Sequence, residues 1–435
     1  MRISWYKRLF WNLIIIAFVP VFLIAAIFPG RRHDLLIWGP EPGIGNKYWS
    51  KAMKQAGHKS VSLMSDRYAI NAPEDFDKYY VDFVPLPLPK SLRWALGSCL
   101  AFIYALRRGK VVHGSFWGFS LGLSGLWWIE SFFFRLSGTK FVVIGFGGDI
   151  YLYSKVSDPS LRYGLLASYP HFALEEEKTV TRIRYWVRNA DIILCGYMMD
   201  GIGRWDVTTH SVYAVDTDHW TPKSDYSDHD GTNGVVRLLH APNHRGFKGT
   251  EFIIQAVEEL KAQGLKVELV LLEGIPNSQV REVMKGVDFL LDQCIMTGYA
   301  LNSMEGMASG LPVLANMSEE YYTRVFRRYG FLDECPILST TPENIRENIR
   351  VMVENPQLRK RLGMASRDFV VKYHSLYSTQ YLFGSIYDHL FSEKKVDLLN
   401  LFHPLKSEYN LRTPRVEHPL IESTLPRNFA GGSTC

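Results

Sequence analysis

Apolar and polar positions change their spacing several times along this chain, and each change predicts an element. The first block, Leu9 to Phe28, reads "LFWNLIIIAFVPVFLIAAIF" without one charge. At about 1.5 Å per residue a helix of that length reaches across a hydrocarbon core of roughly 30 Å. It predicts a transmembrane anchor over 9–29 behind a basic flank, 1–8. A cleavable signal peptide is the alternative, disfavoured by the length of the block and the lack of a small-x-small cleavage site. A second apolar stretch, "GSFWGFSLGLSGLWWIESFFF", is interrupted by Glu130. It reads as a buried or membrane-facing helix rather than a second span.

After the first block the pattern becomes a β/α alternation. "DLLIWGPEPGIGNKYWSKAMKQAGHKSVSL" predicts a buried strand, a glycine-bearing loop, an amphipathic helix and a second strand. A helix near Ser91–Arg108, a strand at Lys110–His113, an apolar helix near Leu121–Leu136, the strand in "TKFVVIGFGGDI", a helix around Lys178–Asn189 and the strand "ADIILCG" continue it. This order predicts a parallel sheet. The polar "KSDYSDHDGTNG" reads as a linker. A second series then runs through the strand "VVRLLHAP", a helix Thr250–Gln263, "KVELVLLEG", a helix Ser278–Gly286 and "VDFLLDQ". In "GYALNSMEGMASGLPVLA" the local rules predict a helix capped by Asn302, with Glu305 reaching back to the cap N–H and Gly310 at its end. Helices near Pro342–Glu354, Pro356–Val371 and Tyr377–Phe391 precede an aperiodic tail.

Composition narrows the partners. A chain of 435 residues, 47% apolar and 14% aromatic, has material for two to three cored domains. The net charge of +5, with no run of basic residues, argues against a nucleic-acid partner and suits a membrane surface or an anionic small ligand. The five cysteines form no C-x-x-C pair, so neither a disulfide framework nor a zinc site is implied.

The candidate chemistry lies at the carboxyl ends of the second-domain strands, where open α/β sheets bind ligands. Arg245 and Lys248 follow the first of these strands, and the N–H groups of Tyr299, Ala300 and Leu301 open the later helix, with Glu305 one turn inside. Two cations and a helix N-terminus suit a diphosphate, and a carboxylate nearby suits ribose hydroxyls. His113 and His240 stand at strand ends. Asp216 and Asp218 form an Asp-x-Asp that a metal-dependent transferase could use, although Trp220 and Pro222 behind it favour a turn.

"NHRGFKGTEFIIQAVEEL" together with "MEGMASGLPVLA" resembles the donor half of the family-4 retaining glycosyltransferases, and "AVDTDHWTP" and "PGIGNKYWSKAMKQAGHKSVSL" resemble other parts of that family. The resemblance covers roughly Asp34 to Phe391. It implies the GT-B fold: two Rossmann-like α/β domains facing a cleft, here behind a transmembrane helix. The implied divisions are an acceptor-side domain over 30–220, a linker 221–234, a nucleotide-sugar-binding domain 235–375, a crossover helix 376–393 and an irregular tail 394–435. Arg245, Lys248 and Asp149 become the implied catalytic residues. Arg245, Lys248, Tyr299, Ala300, Leu301 and Glu305 bind the donor, and Gly43, Gly45, Asn46 and His113 form the acceptor or phosphate loop. The family's earlier Glu is replaced here by Thr297, and its His before the G-[SG]-D motif by Phe146. The expected activity is sugar transfer, with retention, from a nucleotide-diphosphate sugar to a saccharide or lipid-linked saccharide in polysaccharide or glycolipid assembly. No metal or other cofactor is expected, and the catalytic domains are expected to face the cytoplasm. A non-catalytic nucleotide-sugar-binding scaffold is the alternative, favoured by Thr297 and Phe146. A dinucleotide-dependent oxidoreductase lacks its G-x-G-x-x-G after the first strand.

Overall fold

A computed structural model describes residues 5–28, 30, 33–68, 71–393 and 395–426. The start of the basic flank, Arg31, Arg32 and residues 427–435 of the tail lie outside the described residues. The strands, in chain order, are β1 (Leu35–Trp38), β2 (Ser60–Met64), β3 (Lys78–Tyr79), β4 (Gly109–Gly114), β5 (Lys140–Ile144), β6 (Ile192–Cys195), β7 (Val207–Thr208), β8 (Val236–His240), β9 (Val267–Leu271), β10 (Phe289–Thr297), β11 (Val313–Asn316) and β12 (Leu338–Ser339). β1 to β7 form one parallel sheet in the order 3-2-1-4-5-6-7, and β8 to β12 form a second in the order 12-11-10-8-9. β1 and β10 are buried along their whole length and β5 from Phe141 onward, which is why "LLIW" and "FVVI" read as continuous apolar runs. Each sheet reverses its direction of winding once, between β1 and β4 and between β8 and β10. The crevices outside the carboxyl ends of those pairs are where such folds hold ligands.

The N-terminal helix α1 (Trp5–Ile27) is long and apolar enough to cross a membrane, yet it is also part of the first domain. Its buried positions, Trp11, Ile15, Phe22, Ala25 and Ala26, recur at helical spacing along one stripe. That stripe packs on α3 (Lys90–Arg108) and α4 (Ile129–Ser137). Trp11 Nε1 donates to Ser98 Oγ at 3.2 Å, and Phe22 meets Phe102 and Phe133 edge-on at 5.0 and 5.7 Å. Asn12, the one polar residue of the apolar block, accepts the Gly125 N–H at 2.9 Å.

Residues 115–128 are turns rather than the helix expected from Leu121, and only Ile129–Ser137 is helical. Glu130 explains the difference. Its carboxylate is fully buried and accepts the N–H groups of Phe119 and Leu121 at 2.8 and 2.5 Å, which holds the chain in turns. Helices Pro159–Ser168 and Glu320–Tyr329 were not legible in the periodicity.

The helix Leu376–Phe391 returns to the first domain and packs on α2 (Gly45–Gln55). Gln380 Nε2 donates to the Ala52 carbonyl at 3.1 Å. Among the described residues the tail holds one short helix, Glu408–Arg412, and is anchored: the Val416 N–H donates to Glu334, and Tyr409 stacks on Tyr381 at 4.6 Å.

Candidate active site between the domains

A cleft of about 590 Å³ separates the two sheets. The first domain supplies the Gly145–Gly148 loop after β5 and the 196–199 and 209–213 segments. The second supplies Asn243, His244, Phe247, Lys248, Met296 and Ala300. Tyr68, Ile144, Phe146 and Tyr213 also line an adjoining smaller pocket of about 80 Å³ at the β1/β4 crevice. Gly43, Gly45, Asn46 and His113, expected as one loop site, all line this smaller pocket.

Within the pocket these residues have different tasks. No side chain caps the N-terminus of α2 at Gly45, which lines the pocket, and the Asn46 and Lys47 N–H groups turn back to the Gly43 and Ile44 carbonyls at 3.1 and 3.0 Å. Asn46 Nδ2 is committed to the Glu41 carbonyl at 2.8 Å. His113 is a packing residue: its ring stacks on Trp38 at 3.6 Å, and both nitrogens are occupied, by the Ile37 carbonyl at 3.0 Å and the Tyr387 hydroxyl at 3.0 Å. Burial lowers its pKa to about 3, so the ring is neutral.

Asp149 is fully buried, and its carboxylate accepts the N–H groups of Phe116, Phe146 and Gly147 at 3.2, 3.1 and 2.9 Å. It fastens the loops after β4 and β5 together, and its contacts describe a positioning residue. The carboxyl that the reading of the sequence passed over is Glu41. It is half-buried in the pocket wall with Oε1 on the Ser115 hydroxyl at 2.9 Å, and Oε2 has no hydrogen bond among the described residues. Burial, with Asp149 nearby, pushes it up to about 8. Its signal was available: a carboxylate in the Gly-Pro loop "GPEPGIG" directly after the first strand.

On the donor side the two expected cations separate. Lys248 is buried at the cleft, its Nζ bonded to Asp292 at 2.8 Å and to Gln293 Oε1 at 2.6 Å. Burial raises the Asp292 carboxyl, but Lys248 outweighs it and holds the group below the usual carboxylate range. Arg245 is more exposed and turns to Glu251 at 2.8 Å and Glu273 at 3.0 Å. It does not line the cleft. Neither cation is an unpaired charge.

The helix Leu301–Ala308 begins at Ala300, whose conformation is extended and whose side chain supplies no cap. The expected capping box is therefore corrected. Asn302 lies inside the helix and donates to Asp292 at 3.1 Å, while Glu305 accepts from Asn277 Nδ2 at 2.9 Å. Gly298 in the left-handed region turns the chain into this helix. The uncapped N–H groups open at Ala300, which lines the cleft. Leu301 is half-buried, and Tyr299 is buried with its hydroxyl on His374 Nε2 at 2.8 Å. Glu305 is 3% exposed and burial pushes it up to about 8; Oε2 has no hydrogen bond among the described residues.

His240 is bonded to the Leu291 carbonyl and to Thr250 Oγ1, each at 2.8 Å, so it serves packing. Asp216 pairs with Lys51 and accepts the Asp218 N–H at 3.3 Å, the geometry of a turn. Thr297 is buried on β10, and Phe146 sits on the cleft rim with its N–H on Asp149. His210, also missed, lines the cleft stacked on Tyr197 at 4.6 Å, and neither ring nitrogen has a partner among the described residues.

No family model matches the sequence, and no curated protein matches it. Solved structures do match in shape. Anabaena HepE in complex with UDP is similar with a TM-score of 0.53 at 11% identity, over 82% of this chain and 99% of that one. Sucrose-phosphate synthase from Thermosynechococcus elongatus gives 0.54 at 12% identity, over 83% and 100%. A mutant of S. aureus TarM in complex with fondaparinux, alpha-GlcNAc-glycerol and UDP gives 0.52 at 8% identity, over 80% and 98%. With the two parallel sheets and the cleft between them, these likenesses establish the GT-B fold.

Proposed function

We propose that the protein is a glycosyltransferase that moves a sugar from a nucleotide-diphosphate donor in the interdomain cleft to a saccharide or lipid-linked saccharide acceptor. The observation that carries this reading is the uncapped helix N-terminus at Ala300, which opens on the interdomain cleft beside buried Lys248, with the glycine loop at the start of α2 lining the adjoining pocket. Unpaired N–H groups and the helix dipole favour the diphosphate and the charge that grows on it as the glycosidic bond breaks. Complexes with UDP among the shape neighbours support the same ligand class.

In this reading Lys248 contacts the diphosphate from its ion pair with Asp292, and Arg245, outside the cleft, reaches the ligand only by leaving its glutamates. Glu305 takes the ribose hydroxyls on its unoccupied oxygen, with Asn277 fixing the other. Glu41 faces the acceptor: a carboxyl near 8 exists in both protonation states around neutrality and can accept a hydroxyl proton. Asp149 keeps the loops between these groups in place. The donor is the co-substrate, and no bound cofactor or metal is assigned. Retention of configuration is the stereochemistry the family resemblance suggests, and polysaccharide or glycolipid assembly is the setting that membrane attachment suggests.

The test is a comparison of nucleoside diphosphates with their 2′,3′-dideoxy analogues by calorimetric titration of the full-length protein. Glu305→Ala, which removes the acceptor oxygens, is expected to weaken binding of the ribose form by on the order of 1 kcal/mol and to leave the dideoxy form nearly unchanged. Equal affinities for both ligands in the native protein and in the variant would remove Glu305 from the site. The pairing of both cations with carboxylates favours a second reading, a binding scaffold without turnover. A native protein that binds nucleotide sugars and never consumes them would establish it.

A further inference from the structure

We propose that the first domain docks on one leaflet of an anionic lipid bilayer through the outer face of α1, which lies side-on in the interface and does not cross the membrane. The helix is apolar enough to span, but its packing opposes that orientation. From Trp11 to Ala26 its inner stripe is part of the domain core, and it runs beside α3 for the length of that helix. Trp11 lies against Trp94 and Ser98, Phe22 against Phe102, and the Gly30 N–H donates to the Arg107 carbonyl. α3 in turn packs on the seven-stranded sheet through residues such as Leu106 and Val112 of the same core. Standing α1 upright in a bilayer would carry α3, with Lys90 and Arg93 at one end and Arg107 and Arg108 at the other, to membrane depth along with the adjoining sheet. Hydrocarbon does not tolerate such lipid-exposed polar groups and non-helical backbone.

The outer face fits a lipid partner. Leu9, Leu13, Ile16, Ile24 and Phe28 are each more than half exposed. The apolar surface continues onto exposed Trp128 and Phe132 at the start of α4, which packs on the same helix. At the N-terminal end stand Trp5 and Tyr6, ring types that settle at headgroup level, followed by exposed Lys7 and Arg8. Lys7 and Arg8 give that end a cationic rim, complementary to anionic headgroups. An apolar face with aromatic and cationic borders embeds about 5–10 Å into the headgroup and acyl boundary.

The test uses the full chain with an added N-terminal epitope, incubated with sealed phosphatidylcholine vesicles containing or lacking phosphatidylglycerol, then treated with protease from outside. The side-on arrangement predicts binding that increases with phosphatidylglycerol, and digestion of both the epitope and the exposed loop at 227–233. Ile16→Glu, on the outer face, is expected to lower vesicle binding about tenfold without shifting thermal unfolding. Protection of the epitope while the loop is cut would mean that α1 crosses. No vesicle binding, or a stable dimer whose formation shields Ile16 from solvent, would assign the face to another occupant and overturn the proposal. None of these readouts depends on glycosyl transfer.

Discussion

A chain that begins at His33 is expected to lose its first domain, not merely its membrane attachment. Removing α1 uncovers Phe102, Phe133, Trp94 and Ser98, which the helix buries through Trp11, Ile15 and Phe22. Each large apolar side chain returned to water costs about 1.5–3 kcal/mol, and the surface left on α3 and α4 is a further aggregation hazard. Measured in matching detergent, the shortened protein should be recovered mainly as aggregate, and any soluble fraction should melt well below the full chain. A soluble shortened protein with the full chain's unfolding midpoint would show that the helix is a detachable anchor. The reading of the sequence alone led to that detachable anchor, because an uncharged block of this length is judged by composition. The stripe that fuses it to the domain lies within uniformly apolar sequence and has no polar counterpart to reveal it.

The second large effect is expected at Lys248. Replacing it by alanine strands the Asp292 carboxylate, 1% exposed, with only Asn302 and Ser303 as donors. Breaking a buried pair from one side costs about 3–5 kcal/mol. Lys248→Ala should therefore lose much of its stability and bind nucleoside diphosphates poorly. The double variant Lys248→Met with Asp292→Asn removes both charges. It should recover most of the stability by chemical denaturation while still binding diphosphate at least about tenfold more weakly than the native protein. Recovery of native affinity in the double variant would mean that Lys248 is only structural.

These two cases show what was legible. The alternation of strands and helices was readable because buried parallel strands are continuous apolar runs and their helices carry one apolar stripe. Two-residue strands such as β3 and β7 leave no such period. The loop cluster at the first sheet's crevice was readable from Gly43, Gly45 and Asn46, since glycine turns mark close backbone approach. Glu41, two residues earlier, shows in the sequence only as a carboxylate in the same loop, and the groups that orient and perturb it, Ser115 and Asp149, are distant in sequence. The capping box at Asn302 and Glu305 satisfied every local rule and is absent because tertiary partners, Asp292 and Asn277, claim both side chains. Lys248 and Arg245 were expected as free cations for the same reason: Asp292 and Glu273 lie on other elements.

The central claim is that the interdomain cleft binds a nucleotide sugar and transfers its sugar, and turnover by the full-length protein in detergent tests it most directly. Incubated with a panel of nucleotide sugars and saccharide acceptors, the native protein should consume one donor, releasing nucleoside diphosphate in step with a new glycoside. Glu41→Gln should bind that donor normally and turn it over on the order of a hundredfold more slowly. A folded full-length protein that binds none of the nucleotide sugars would contradict the account.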